Sequence, residues 1–464
     1  MDTSNKQYSN LRSFRFNVLL FLSCFSGILV IILASNLDLF CIPKQSRPFS
    51  ISNVELFLIY SVIFTIINIF LLKLSSTLKF PRSKLRKITL VTILMTQLFL
   101  MSMLFIIYGQ IKISSLYYSA VFYTVIYLSL ASSTAFLAIT AIQFLRWFRR
   151  SRNYLVITYG LVMLVLCTNS VIGVVYISVN SLSHSETIKY KSCSVMMGML
   201  GNPNPEISNN LVILYDITSF FSFVMAWLVT VFMLKDYTKH RNKLIYWIIF
   251  ALPLIFFLPR YEIALYYFAS HQVDSILTSI TLNSDIYGYQ TWNTLLNSNL
   301  QVGGAFFGMA FLIIAAKLTK EWEQRKSLIV TGIGIMFLFA SKDISTLIIS
   351  SYPPLGAVSI AFMGIASYMV YAGIYNTAAH AARDKKLRRD LRVNVENNVK
   401  LLRSIASSQD RLEMEKNVKE LMTLSTHLQK EDEQPYSTPD LTQNEIHDIV
   451  NDVILELKKT QKKS

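Results

Sequence analysis

The stretch GAVSIAFMGIASYMVYAGIYNTAAHAARDKKLRRDLR, residues 356–392, decides the fold. Its first twenty residues are apolar, which as a helix is enough to cross a hydrocarbon core about 30 Å thick. NTAAHAA then carries neither Gly nor Pro, so nothing in it ends the helix before RDKKLRRDLR begins. One helix is therefore expected to leave the membrane and run on into water as a basic stalk, over 356–403. Everything before this junction reads as bilayer-embedded, and everything after it as a short charged appendage.

The whole chain agrees with that reading. It has 464 residues, 53% of them hydrophobic and only 16% charged, with a mean hydropathy of +0.42. The expectation is an all-α polytopic membrane bundle with a short cytoplasmic helical tail. A formal charge of +16 invites comparison with nucleic-acid binders. Here the basic residues crowd the ends of apolar runs, which is the orientation signal of membrane proteins, so nucleic acid is not expected as a partner.

Ten runs are long and apolar enough to count as spans: 16–35, 54–72, 88–108, 118–145, 154–179, 211–234, 244–258, 302–316, 328–349 and 356–375. The first has no small-residue cleavage site after it and reads as a retained helix. The seventh is short, with Pro253 inside it and Pro259 at its end, so a kinked or re-entrant segment is the alternative there. Counting Lys and Arg on alternate sides gives 21 on the side of the N-terminus, before the tail, against 6 on the other. This asymmetry predicts a multi-pass protein of the cell membrane with both termini cytoplasmic. Tyr117, Tyr118, Trp147, Tyr154 and Tyr176 fall near run ends, as an interfacial aromatic belt requires. Of the two long outer loops, 180–210 is expected to be irregular, because it is rich in Ser, Asn, Gly and Pro. The other, 260–301, carries apolar residues at helical spacing and predicts short amphipathic helices.

Three regions follow: a transmembrane domain over 1–379, a basic stalk and amphipathic helix over 380–434, and a linker with a final amphipathic helix over 435–464. In the stalk Arg383, Lys385, Lys386, Arg388, Arg389 and Arg392 would be drawn to anionic lipid headgroups, at about 1 kcal/mol for each basic residue near the surface. Leu387, Leu391, Val395, Val399, Leu402 and Ile405 make one apolar stripe on an otherwise charged helix. That stripe needs a partner, either a second copy of the chain in a homo-oligomer or a cytoplasmic protein. The sequence SSQD breaks or restarts the helix, with Asp410 and Glu413 available as a capping pair.

Ionisable groups inside spans are costly and usually have a partner or a task. Asp216 in the sixth run and Lys342 and Asp343 in the ninth lie at similar depth, where they could form an ion or ligand site. The competing account is an ion pair between Lys342 and Asp216 that locks two helices. Polar Asn68, Gln97, Gln143 and Asn169 are expected to bridge helices, and the small-residue pairs Gly304 with Gly308 and Ala357 with Ala361 to permit close internal contacts. Cys41 and Cys193 fall in outer loops and are a candidate disulfide, while Cys24 and Cys167 sit in apolar runs. No metal-ligand spacing, nucleotide loop or hydrolase signature occurs, so no metal, no cofactor and no enzymatic activity are expected.

The final helix contains EIHDIVND, in which His447, Asp448 and Asn451 resemble the phosphoacceptor box of sensor histidine kinases. Asp452 stands where that family places proline, and no ATP-binding domain follows within the chain. The whole layout resembles membrane-embedded sensors without a catalytic output, and uncharacterised archaeal-type multi-pass membrane proteins with a sensor-like juxtamembrane tail. Two functional expectations result. One is a membrane sensor or scaffold that relays an outer or intramembrane signal to the cytoplasmic tail. The other is a secondary transporter or channel for a cation or small solute, using Asp216, Lys342 and Asp343.

Overall fold

The computed structural model describes residues 53–78, 83–114, 116–152, 154–181, 187–189, 205–238, 251, 306–315, 322–341, 353–383 and 408, 409, 411 and 414. Numbered in chain order, the described elements begin with α1 (Asn53–Ser76), α2 (Ser83–Ser114), β1 (Leu116–Tyr118), α3 (Ser119–Ser151) and α4 (Tyr154–Ser181). They continue with β2 (Thr187–Lys189), α5 (Pro205–Thr238), α6 (Phe306–Ala315), α7 (Trp322–Ser341) and α8 (Pro353–Arg383). The chain divides into two compact units, one of residues 1–142 and 158–376, the other of residues 143–157 and 377–464.

Among the described residues five helices are long and apolar enough to cross a membrane: Val54–Ser76, Lys87–Ser114, Ser119–Arg150, Tyr154–Val179 and Pro354–His380. Their surfaces are inverted relative to a soluble bundle. On α1, Phe57, Tyr60, Phe64, Ile67 and Leu71 are buried along one face, while Ile59, Val62, Ile66 and Ile69 are exposed along another. The polar residues Ser61, Asn68, Gln97, Ser129, Ser133 and Asn169 point inward. Apolar side chains outside with polar ones inside fit a hydrocarbon surrounding, where every polar group must be satisfied within the protein. The expected all-α membrane bundle is found at this level. The runs at 16–35 and 244–258 lie outside the described residues, apart from a helical Ala251.

Residues 354–376 of α8 lie at the centre of the first unit. Every residue from 354 to 379 of α8 is buried, and no residue of α7 from 324 to 341 is exposed. Four neighbours enclose α8. From α1, Phe64 meets Phe362 edge-on at 4.6 Å, and from α7, Phe337 meets the same ring at 5.4 Å. From α3, Phe136 packs on Tyr368 at 5.3 Å and on Tyr371 at 6.1 Å, and Ser133 shares a 2.7 Å hydrogen bond with Ser367. From α2, Gln97 Nε2 would stand 3.2 Å from a Cβ added at Gly364.

Glycines set how closely α7 approaches its neighbours. A Cβ on Gly334 would stand 2.9 Å from the backbone nitrogen of Val370, and one on Gly373 would stand 2.8 Å from the carbonyl of Ser327. One on Gly332 would stand 2.8 Å from the carbonyl of Gly308. Gly308 therefore makes the internal close contact expected of it, with α7 as partner. Gly304 lies outside the described residues.

Two expectations are corrected. Residues 180–210 are not wholly irregular. Thr187–Lys189 pairs antiparallel with β1, with Leu116 opposite Lys189 and Tyr118 opposite Thr187. The same loop already contains the start of α5 at Pro205, six residues before the expected 211. Asn204, Pro205 and Glu206 form a helix-start signature, because proline tolerates the first turn where no intrahelical donor is needed. Pro353 starts α8 early for the same reason. The amphipathic helices expected over 260–301 lie outside the described residues.

Candidate functional site

Lys342, Asp343, Cys41, Cys193, Lys385, Lys386, Arg388, Arg389, Arg392 and His447 lie outside the described residues. Asp216 is in α5, and Arg383 is the last residue of α8, without a described side chain. The helix of the stalk is continuous through NTAAHAA to Arg383, as far as it is described.

The turn that carries Asp216 is nonetheless fixed. Asn169 of α4 is buried, and its Nδ2 donates to the carbonyl of Tyr215 at 3.1 Å and to Thr218 Oγ1 at 2.9 Å. Cys167, one position from that bridge's neighbour Thr168, is a free thiol whose Sγ lies 3.6 Å from the carbonyl of Thr134 on α3. Asn169 thus bridges two helices, as its residue type in an apolar run requires. The other bridge is amide to amide. Asn68 Nδ2 of α1 donates to Gln97 Oε1 of α2 at 2.6 Å, with both side chains buried. Together with Ser133 and Ser367, these groups form a polar layer across α1, α2, α3 and α8.

At the β1 strand Tyr117 is only 2% exposed, against 55% for Tyr118 beside it. Tyr117 is therefore no interfacial residue, which corrects the sequence reading: strand alternation turns it inward onto Phe122 at 5.9 Å. Its hydroxyl is buried with no hydrogen-bond partner, and burial, reinforced by Tyr123, pushes its pKa above the ordinary phenol value.

The second unit holds the contact that the sequence did not announce. Trp147 lies in the last turns of α3, with its ring edge-on to Phe144 at 5.4 Å, and both are buried. Its indole Nε1–H donates to Gln409 Oε1 at 3.1 Å, and its carbonyl accepts from Ser408 Oγ at 3.0 Å. Ser408 and Gln409 are buried and helical. Trp147 was expected at the membrane interface; instead the tail covers it, and the indole takes its partner from the SSQD stretch. Just beyond it α3 ends at Ser151, and the following Arg152 takes φ 48° while its N–H bonds the carbonyl of Phe148 at 2.8 Å. This left-handed cap lets α4 start at Tyr154 after a very short turn.

Among the described residues no group of three His, Cys, Asp or Glu is arranged to hold a metal. What the described residues define is a class: an all-α bundle with membrane-type surfaces, whose first unit is built round an enclosed helix. Comparison with protein-family models, with curated proteins and with solved structures finds no match.

Proposed function

We propose that the protein is a membrane sensor or scaffold without a catalytic domain, in which a multi-pass bundle communicates with a cytoplasmic helical tail. The observation that carries this reading is the paired hydrogen bonding of Ser408 and Gln409 to Trp147. A tail clasped by the last turns of one helix, and covalently continuous with the enclosed α8, has a defined docked state that a signal can release. In this reading ten spans place both termini in the cytoplasm of the cell, and the stalk rests on anionic headgroups. The stripe on the tail then meets a second copy or a cytoplasmic protein once released.

The test reconstitutes the full chain, and the chain truncated after Arg403, in vesicles. A thiol-reactive crosslinker of short reach joins Phe148→Cys to Gln409→Cys in the docked protein, in a background with the native cysteines replaced. The sensor reading expects crosslinking in the full chain and no cation or proton flux in either form. Flux that survives truncation and disappears in Asp216→Asn overturns it in favour of a transporter.

A further inference from the structure

The first turn of α7 leaves hydrogen-bond donors without acceptors. Gln324 is 4% exposed, and neither its Nε2 nor the buried Nε of its neighbour Arg325 has a hydrogen-bond partner. Both groups are N–H donors. They stand at the start of a twenty-residue helix, where the backbone itself presents N–H groups without intrahelical acceptors and the positive end of the helix dipole. Lys326 follows, and its Nζ donates 3.2 Å to the carbonyl of Thr77 at the end of α1, which adds a cation and ties the two helix ends together.

Asn376 of α8, which bonds the neighbouring Ser327, does not supply the missing acceptor. Asn376 Nδ2 donates to Ser327 Oγ at 2.7 Å, and its own Oδ1 is buried without a donor. Buried N–H groups without acceptors are costly, so an oxygen-rich group from outside the chain accounts for their retention. The segment KLTKEWEQRK over 317–326 carries four basic residues, Lys317, Lys320, Arg325 and Lys326, against the two acidic ones Glu321 and Glu323. A guanidinium N–H, an amide N–H and a helix N-terminus together match the acceptor-only oxygens of a phosphate. α1, tied to this end of α7, presents exposed Ile66 and Ile69 toward its surroundings, so acyl chains would lie beside the site.

We infer that the first turn of α7 binds the phosphate group of an anionic ligand through Gln324 and Arg325, with a phospholipid headgroup or a free phosphate as its source. This inference stands on the membrane class of the bundle and is independent of the signalling reading above. A hydroxyl on the headgroup would serve Asn376 Oδ1.

The experiment follows the thermal midpoint of the full-length protein in neutral detergent with phosphatidylglycerol, phosphatidylcholine or inorganic phosphate. At about a hundredfold excess over its dissociation constant, phosphatidylglycerol is expected to raise the wild-type midpoint by about 2–3 °C, and phosphatidylcholine not to. The double variant Gln324→Met and Arg325→Gln loses at least half of that response. Its midpoint without lipid equals or exceeds the wild type, because two unsatisfied donors are gone. The pair Arg388→Gln and Arg389→Gln in the stalk retains the response. A shift with inorganic phosphate that the double variant loses supports the site with a free phosphate as source, whereas a shift with phosphatidylglycerol alone supports the lipid. Equal responses of wild type and double variant, or loss of all response in the stalk pair, overturn the inference. Should the double variant fail to fold, Arg325→Lys keeps the charge and removes the Nε donor, and an undiminished lipid shift in it overturns the inference equally.

Discussion

Gly373→Ala tests whether α7 and α8 are in backbone contact. The added methyl would stand 2.8 Å from the carbonyl oxygen of Ser327 and 2.9 Å from the backbone nitrogen of Thr331, and would also meet Thr331 Oγ1. Ordinary carbon to oxygen contacts begin near ~3.3 Å, so the helices must separate by about half an ångström. Overpacking of this kind costs about 1–3 kcal/mol. The separation also strains the 2.7 Å bond from Asn376 to Ser327, worth about 1 kcal/mol. Helix propensity pulls the other way by about 1 kcal/mol, since alanine is the better helix former. The expected net loss is about 1–3 kcal/mol. Unfolding entropies of about 2 cal/mol/K per residue give a chain of this size roughly 1 °C per kcal/mol, so the midpoint should fall by about 1–3 °C. Gly109→Ala in α2 supplies the opposite sign, because nothing lies within 4 Å of the methyl it would add. Only propensity then acts, and that variant should be stabilised by up to about 1 kcal/mol. A Gly373→Ala protein as stable as wild type, or shifted in the same direction as Gly109→Ala, refutes the close packing of α7 on α8.

Arg152→Gly should stabilise the protein by about 1 kcal/mol in denaturant titration, because glycine adopts the positive φ at 48° without penalty. Trp147→Phe removes the donor to Gln409, and limited proteolysis should then cut near residue 409 several-fold faster than in wild type. Asn169→Leu deletes both bonds to α5 and should cost about 1 kcal/mol, with faster amide exchange around Tyr215 as the local readout. At alkaline pH the unfolded chain ionises Tyr117 near about pH 10 while burial keeps the folded phenol neutral, so stability should fall as pH rises above that value. Tyr117→Phe should make that fall shallower, as read by thermal midpoints across a pH series.

The enclosed position of α8 was partly legible. The small-residue pair Ala357 and Ala361 announced close helix contact, but hydropathy alone does not separate a lipid-facing helix from one surrounded by protein. The difference lies in the full turn: α1 exposes Ile and Val on its outward face, whereas α8 is buried on every side. Asn68, Gln97 and Asn169 were readable as bridges because an amide in hydrocarbon must find a partner within the protein, while which partner it finds depends on three-dimensional register. Strand β2 was missed because three residues of ETIK inside a polar loop carry too little alternation to register, and their pairing with β1 is set by the helices that bring the two loops together. Trp147 was misread through a rule about location: an aromatic near a span end fits an interfacial belt, and only the tail's return makes it a buried anchor. Its partners lie more than 260 positions away in sequence, a separation that no local pattern encodes.

The helix at the centre of the bundle is synthesised after the helices that surround it. When α1 to α4 have emerged from the ribosome, the faces carrying Phe64, Gln97, Ser133 and Phe136 have nothing to close upon, and the amides and hydroxyls among them must be held by provisional neighbours or by the insertion machinery. A chain stopped before Pro353 would carry α1, α3 and α7 without the helix they pack on, leaving Phe64, Phe136, Ser133 and Phe337 without their partners on α8.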